Sequence, residues 1–179
     1  MKIYTGAGDG GQTRLGTGLP VPKGDPTVDA YGTVDELSSF IGLALTAVHD
    51  EDLVQELIWV QQRLHLLGAI LAFPGRTESS WGELTGEDVK HLEAAIDALS
   101  QGLPALRGFV LPGGTPGAAF LHCARSIARR AERAVSRLNP QDYPLGGWIL
   151  PFLNRLSDYL FCAARVVNHR HGSGDRLVD

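Results

Sequence analysis

Punctuation limits what this chain can build more than composition does. Asp25-Pro26 and Thr115-Pro116 each join a side chain suited to cap a helix N-terminus to a residue already fixed at helical φ. Pro74-Gly75, Gly102 with Pro104, and Asn139-Pro140 stop helical patterns. Between these marks apolar residues recur at helical spacing. Val34, Leu37, Ile41, Leu45 and Val48 predict a first helix from Asp25 to about His49. Leu53, Leu57, Val60, Leu64, Leu67 and Leu71 predict a second from about Glu51 to Phe73. Thr85-Gly86-Glu87-Asp88 resembles a capping box with Asp in place of Glu, and opens a third helix over about 86–101. The fourth runs from Thr115-Pro116 to about Leu138. The fifth starts at Trp148 or at Pro151 and reaches His169, with Pro151 either in its first turn or at a kink. Nothing alternates as a strand would, and residues 1–24, rich in Gly and Thr, read as a structured loop. Five helices with short connections predict an all-α antiparallel bundle.

The 179 residues suffice for one domain with a sizeable core. No apolar run approaches the ~20 residues that span a membrane, and the N-terminus lacks an apolar signal segment. A cytoplasmic location without membrane contact is expected. A net charge of −4 argues against a nucleic-acid partner. Cys123 and Cys162 fall in apolar helical patterns and read as reduced, buried thiols. No Cys/His cluster has zinc-ligand spacing, and His169 and His171 read as solvated, so no metal-ligating residues are expected.

Four segments carry chemistry. The run Thr5-Gly6-Ala7-Gly8-Asp9-Gly10-Gly11-Gln12-Thr13-Arg14 could converge backbone amides, hydroxyls and a guanidinium on an anion, or be merely flexible. It is no Walker A loop, since no Gly-Lys-Ser/Thr ends it, and it does not join a strand to a helix as a dinucleotide fingerprint would. On the fourth helix, Phe120, Ala124, Ile127, Ala131, Val135 and Leu138 share one face. His122, Arg125, Arg129, Glu132 and Arg133 share another. Like charges one turn apart repel, so either a polyanion or acidic partners compensate them, or the face is solvated with an internal Glu132–Arg129 pair. On the fifth helix, Asn154 and Asp158 lie one turn apart among apolar neighbours. They suit a lined pocket or interhelical contact, or equally simple surface polarity. Asp35 and Glu36 sit in the first half of the first helix, where acidic groups favour the helix dipole.

Taken together and in chain order, these segments resemble the PduO-type ATP:cob(I)alamin adenosyltransferases. The matches are Thr5…Gly8-Asp9-Gly10-Gly11-Gln12-Thr13 with Lys23, Ala30-Tyr31-Gly32-Thr33-Val34-Asp35-Glu36-Leu37, Phe109-Val110-Leu111-Pro112-Gly113-Gly114 running into Arg125 and Arg129-Arg130-Ala131-Glu132-Arg133, and Leu153-Asn154-Arg155-Leu156-Ser157-Asp158-Tyr159-Leu160-Phe161. The resemblance covers residue 3 to about 165. It implies one adenosyltransferase domain over 1–179, with 1–24 as ATP loop and 25–171 as a five-helix bundle, assembled as a homotrimer with active sites between subunits. Thr5, Gly6, Ala7 and Gly8, with Thr13, Arg14 and Lys23, would wrap the triphosphate. Arg129, Arg130, Ala131, Glu132, Arg133 and Asn154 would complete the nucleotide site. Asp35 would pair with Arg125 of a neighbour, and Phe109 would line the corrinoid side, where an apolar wall keeps an axial ligand off cobalt. Arg129, Arg125, Asp35 and Phe109 are thereby the expected catalytic set. ATP and cobalamin are the implied substrates, Mg²⁺ the implied cofactor, and a flavin-type reductase and a cobalamin-dependent mutase the implied partners. Many members carry Arg where this chain has Thr27 and Asn where it has Ser38, which touches secondary contacts. A non-catalytic corrinoid and ATP carrier on the same fold is the alternative reading.

Overall fold

The computed structural model describes residues 3–75, 82–138 and 146–178. Helix α1 (Pro26–Leu45) begins where Asp25 accepts a hydrogen bond from the Thr27 N–H at 2.8 Å, with Pro26 in the first turn. It stops at Leu45, short of His49, because the Thr46 hydroxyl and N–H both bond the Leu43 carbonyl. Val48 still reaches the core from the turn beyond. Helix α2 spans Glu51–Ala72. Helix α3 (Gly86–Gln101) carries the expected reciprocal box, in which Asp88 accepts from the Thr85 N–H at 2.7 Å. Helix α4 (Pro116–Ser136) is capped by Thr115, which accepts from the Ala118 N–H. Helix α5 (Ile149–Arg170) takes Pro151 as its third residue. That is the first turn, where a missing N–H costs no helical bond. The stop expected at Asn139-Pro140 lies outside the described residues.

Two short strands correct the all-loop reading of the N-terminal segment. β1 (Gln12–Arg14) pairs antiparallel with β2 (Pro20–Pro22), Thr13 opposite Val21. Three-residue strands, one with proline at both ends, are too short to show alternation in sequence. The hairpin is anchored on α2. Leu15 is buried, the Gly16 N–H donates to the Ala72 carbonyl at 2.8 Å, and any side chain at Gly16 would collide with the Phe73 ring.

In the bundle, α1 lies between α2 and α4, and α5 between α4 and α3. Side chains close the ring between α2 and α3: His91 meets Glu56 at 2.7 Å and stacks 4.2 Å from Trp59. Leu37, Ile41, Leu57, Leu64, Leu121, Phe152, Leu156 and Tyr159 fill the centre. Removing a large apolar side chain from such a core costs about 2–5 kcal/mol.

The chain beyond α5 folds back. Arg165, buried, donates to Asp175 and to the Pro104 carbonyl. Leu111 and Val178 then exchange backbone bonds with Arg176 and Phe109, so the 109–111 segment is held as a short antiparallel bridge. On the other side of that segment, Asn168 accepts from the Thr115 N–H and donates to the Gly113 carbonyl, both at 2.9 Å. Gly114 has φ of +101°, and a side chain there would strike the Asn168 amide. Gly114→Ala is therefore expected to cost about 2 kcal/mol or more, from backbone strain and a displaced buried amide. Thermal unfolding checks this; an unchanged Tm would show that Asn168 has room to move.

Candidate active site

The glycine loop is shaped by its own backbone. Asp9 N–H donates to the Gly6 carbonyl, Gly11 N–H to Gly8, and Lys23 N–H to Gly11. Gly6 lies at φ +73°, which favours glycine. The Ala7 N–H reaches the Thr5 hydroxyl at 3.4 Å. Gly8 is half-buried beneath Lys23, whose Nζ would lie 3.3 Å from a Cβ placed there. The fold thus brings Lys23 onto the loop that sequence grouped it with. Thr13 is half-buried in β1, while Arg14 turns its guanidinium to the Gly18 carbonyl of the hairpin turn at 2.9 Å.

Helix α4 sorts its arginines. Arg130 pairs with Glu36 and Arg137 with Asp29, so α1 neutralises the near edge. Arg129 and Arg133 are exposed and make no ion pair among the described residues. Arg125 is half-buried, and its Nε is sealed from solvent without a hydrogen-bond partner among the described residues. The internal Glu132–Arg129 pair does not form; Glu132 accepts from Asn154 Nδ2 of α5 at 3.1 Å. Asn154 and Asp158 do not meet either, because Asp158 accepts from Arg155 at 2.8 Å. Ala131 is 0% exposed, so its methyl belongs to the core.

Two residues depart from the helical-wheel reading. His122, grouped with the arginines by spacing, turns inward and is 3% exposed. The signal was present in its neighbours Ala118 and Leu121, which are also buried. Cys123 is exposed rather than buried, because it shares the outer stripe of Ser126, Arg130 and Arg133. Cys162 is half-buried, its Sγ 3.8 Å from Ser100 Oγ, and burial pushes its pKa up.

A cavity of about 490 Å³ opens beside the first half of α4. Phe109, Val110, His122, Arg125 and Phe161 line it. Phe109 stands at its edge with 85% of its surface exposed, held there by the backbone bridge to the chain's last residues. Asp35, on α1, is exposed and makes no ion pair among the described residues.

The two halves of the expected site point to different ends of one bundle. The glycine loop docks where α2 stops and α1 begins. The cavity lies toward the end where α4 begins and α5 stops. The free cations Arg129 and Arg133 lie between, with the Glu132–Asn154 pair beside them. Chemically, the first part suits a polyphosphate and the second a large, mostly apolar ligand.

The family model described as cobalamin adenosyltransferase matches residues 3–167. The chain is 48% identical to the corrinoid adenosyltransferase of Bacillus subtilis, an alignment covering 98% of this chain and 91% of that one. It is 39% identical to the corrinoid adenosyltransferase PduO of Citrobacter freundii, covering 94% of this chain but spanning about half, 50%, of that longer protein. Among solved structures, a variant of the PduO-type ATP:corrinoid adenosyltransferase from Lactobacillus reuteri, complexed with cobalamin and ATP, superposes with a TM-score of 0.91 at 41% identity, covering 99% of this chain and 96% of that one. With sequence and fold agreeing over nearly their whole length, this chain belongs to the cobalamin adenosyltransferase family.

Proposed function

We propose that this protein transfers the 5′-deoxyadenosyl group of ATP to the cobalt of a reduced corrinoid, releasing triphosphate and forming adenosylcobalamin. The observation that carries the reading is the row of unpaired guanidinium groups on α4. The fold neutralises Arg130 and Arg137 with α1 carboxylates yet leaves Arg125, Arg129 and Arg133 without an ion pair among the described residues. Unneutralised cations in line, in a chain of net charge −4, suit a ligand that brings its own negative charge.

The chemistry asks little of the protein as a base. Cob(I) is itself a strong nucleophile, so the task is to hold cobalt in line with C5′ and to stabilise charge gathering on the departing triphosphate. Thr5, Gly6, Ala7, Gly8, Thr13, Arg14 and Lys23 are assigned the phosphates, together with the α4 segment Arg129–Arg133 and Asn154. Ala131 serves only as spacer, because its side chain is in the core. Among the described residues no three or more His, Cys, Asp or Glu side chains are grouped to hold a metal. Mg²⁺ therefore fits as a companion of the substrate phosphates, where it would add positive charge to the leaving group. Phe109 is assigned the corrinoid side.

The reading treats the chain as one domain, loop through Gly24 and bundle to His171, working as a homotrimer. Its support is the separation of loop and cavity along one bundle, which a neighbour's complementary half would bridge. Asp35 and the half-buried guanidinium of Arg125 are assigned to each other across that contact. Asp35→Asn is then expected to lower activity more than subunit folding, since breaking a buried pair strands the remaining charge. A double-mutant cycle with Arg125→Ala checks it; additive losses would break the pairing. A cytoplasmic site of action, with a flavin-type reductase supplying electrons and a cobalamin-dependent mutase receiving product, completes the reading. No helix among the described residues is long and apolar enough to cross a membrane.

The test is spectroscopic. Protein, ATP, Mg²⁺ and chemically reduced cobalamin should yield a photolabile cobalt–carbon product. Binding of both substrates without that product would make the protein a carrier.

A further inference from the structure

Phe109 has little apolar packing to fix it, since 85% of its surface is exposed. Its backbone sets its place. The Val178 N–H donates to the Phe109 carbonyl at 2.9 Å, and the Leu111 N–H donates to the Arg176 carbonyl at 2.7 Å. The tail that supplies these partners is itself lightly held. Arg176, Leu177 and Val178 are exposed, so apolar burial contributes little. The Ser173 N–H donates to the Asn168 carbonyl at 2.9 Å, but Gly174 follows at φ +63°, and a glycine turn does not fix the direction of what comes after.

The buried side-chain anchor of the tail is Asp175. Its carboxylate accepts from Arg165 Nε of α5 at 2.8 Å, with 16% of the Asp175 side chain and 7% of the Arg165 side chain exposed. Arg165 Nη2 donates to the Pro104 carbonyl at 2.7 Å, and the guanidinium lies 5.9 Å from the centre of the Phe161 ring. One planar fork thus ties together the tail, the loop after α3 and a wall of the cavity. A buried ion pair adds little net stability over an apolar pair of the same volume, whereas its directional bonds define a geometry. We propose that Arg165 and Asp175 are positioning residues for the reduction of cobalt. Their ion pair clamps the end of the chain to α5 and, through the backbone bonds at Phe109 and Leu111, fixes where the Phe109 ring stands at the cavity. This rests on the adenosyl-transfer reading above and on the assignment of Phe109 to the corrinoid side.

The test compares Asp175→Ala with the parent in two assays, one from cob(II)alamin with a reductase and one from pre-reduced cob(I)alamin. The first rate should fall about three- to tenfold and the second less than about twofold, because a loosened Phe109 harms ligand exclusion more than alkyl transfer. With ATP bound, the fraction of cob(II)alamin in the four-coordinate state should fall in step. Asp175→Asn keeps an acceptor for Arg165 Nε and should hold the reductase-coupled rate within about twofold. In a Phe109→Ala background, Asp175→Ala should add less than about 1.5-fold, because its effect runs through that ring. Should Asp175→Ala strand the Arg165 charge and fail to fold, the double variant Arg165→Met with Asp175→Ala removes both charges and gives the same comparison. Equal losses in both assays, a four-coordinate signal as strong as in the parent, or full additivity with Phe109→Ala would each overturn the proposal and leave the pair a structural contact. If Phe109→Ala separates the two assays and the Asp175 variants do not, this inference falls alone. If Phe109→Ala separates nothing, or the parent makes no adenosylcobalamin, the reading beneath it falls too.

Discussion

Arg129→Ala is expected to lower kcat/KM for adenosyl transfer at least tenfold, without loss of fold. The guanidinium is exposed on α4 and makes no ion pair among the described residues, so its removal breaks none there. Alanine is the strongest helix former, and surface substitutions of this kind stay within about 0.5 kcal/mol. A charge-assisted contact to phosphate, by contrast, is worth about 1.5–3 kcal/mol, or roughly 10- to 150-fold. If the contact strengthens as the triphosphate leaves, kcat carries most of the loss; if it only binds ATP, KM does. The neighbouring Arg130 provides the control. It is engaged with Glu36, so Arg130→Ala should disturb the α1–α4 contact as well as catalysis. Steady-state kinetics with melting curves separates the two. A folded Arg129→Ala protein with normal ATP affinity and turnover would remove Arg129 from the site.

Phe109→Ala is expected to damage catalysis that starts from cob(II)alamin and a reductase far more than catalysis from pre-reduced cob(I)alamin. Were the ring a core residue, its loss would cost about 3–5 kcal/mol and blur the result. Its 85% exposure removes that complication, since among the described residues the ring lies outside the core. Alkyl transfer needs alignment, which the phosphate contacts and the corrin seat provide. Reduction needs the axial position of cobalt kept dry, and an alanine leaves space for water or a ligand to return. A loss of at least about tenfold in the reductase-coupled assay, against less than about threefold from cob(I)alamin, is the expected pattern, a difference of at least about 0.7 kcal/mol in barrier. The five-coordinate cob(II) spectrum should persist with ATP present. Equal losses in both assays would assign ligand exclusion elsewhere.

The helices were legible in the sequence because what fixes them is local. Asp25, Thr115 and the Thr85–Asp88 box act within three or four residues, and the leucine spacing of α2 needs no partner to be read. What stayed hidden depends on distant chain. Nothing near Arg130 says that it, rather than Arg129, will be neutralised; Glu36 does so from 94 residues away. His122 was partly legible: on a helical wheel it sits between the arginines and the apolar Ala118 and Leu121, and in the fold it turns inward with its ring 6.1 Å from Phe161. The hairpin escaped notice because its strands are three residues long and its anchor, Phe73, lies at the far end of α2. The exposure of Phe109 was likewise invisible, since the bridge to Leu177 that holds it out comes from the end of the chain.

The central claim is that the bond broken is the one between C5′ of ATP and its triphosphate. The most direct measurement follows ATP labelled with carbon-13 at C5′, incubated with the protein, Mg²⁺ and cob(I)alamin. The account predicts that the labelled carbon appears bonded to cobalt and that one intact triphosphate is released per adenosylcobalamin. Label retained in ADP or AMP, or phosphate released without a cobalt–carbon bond, would contradict it.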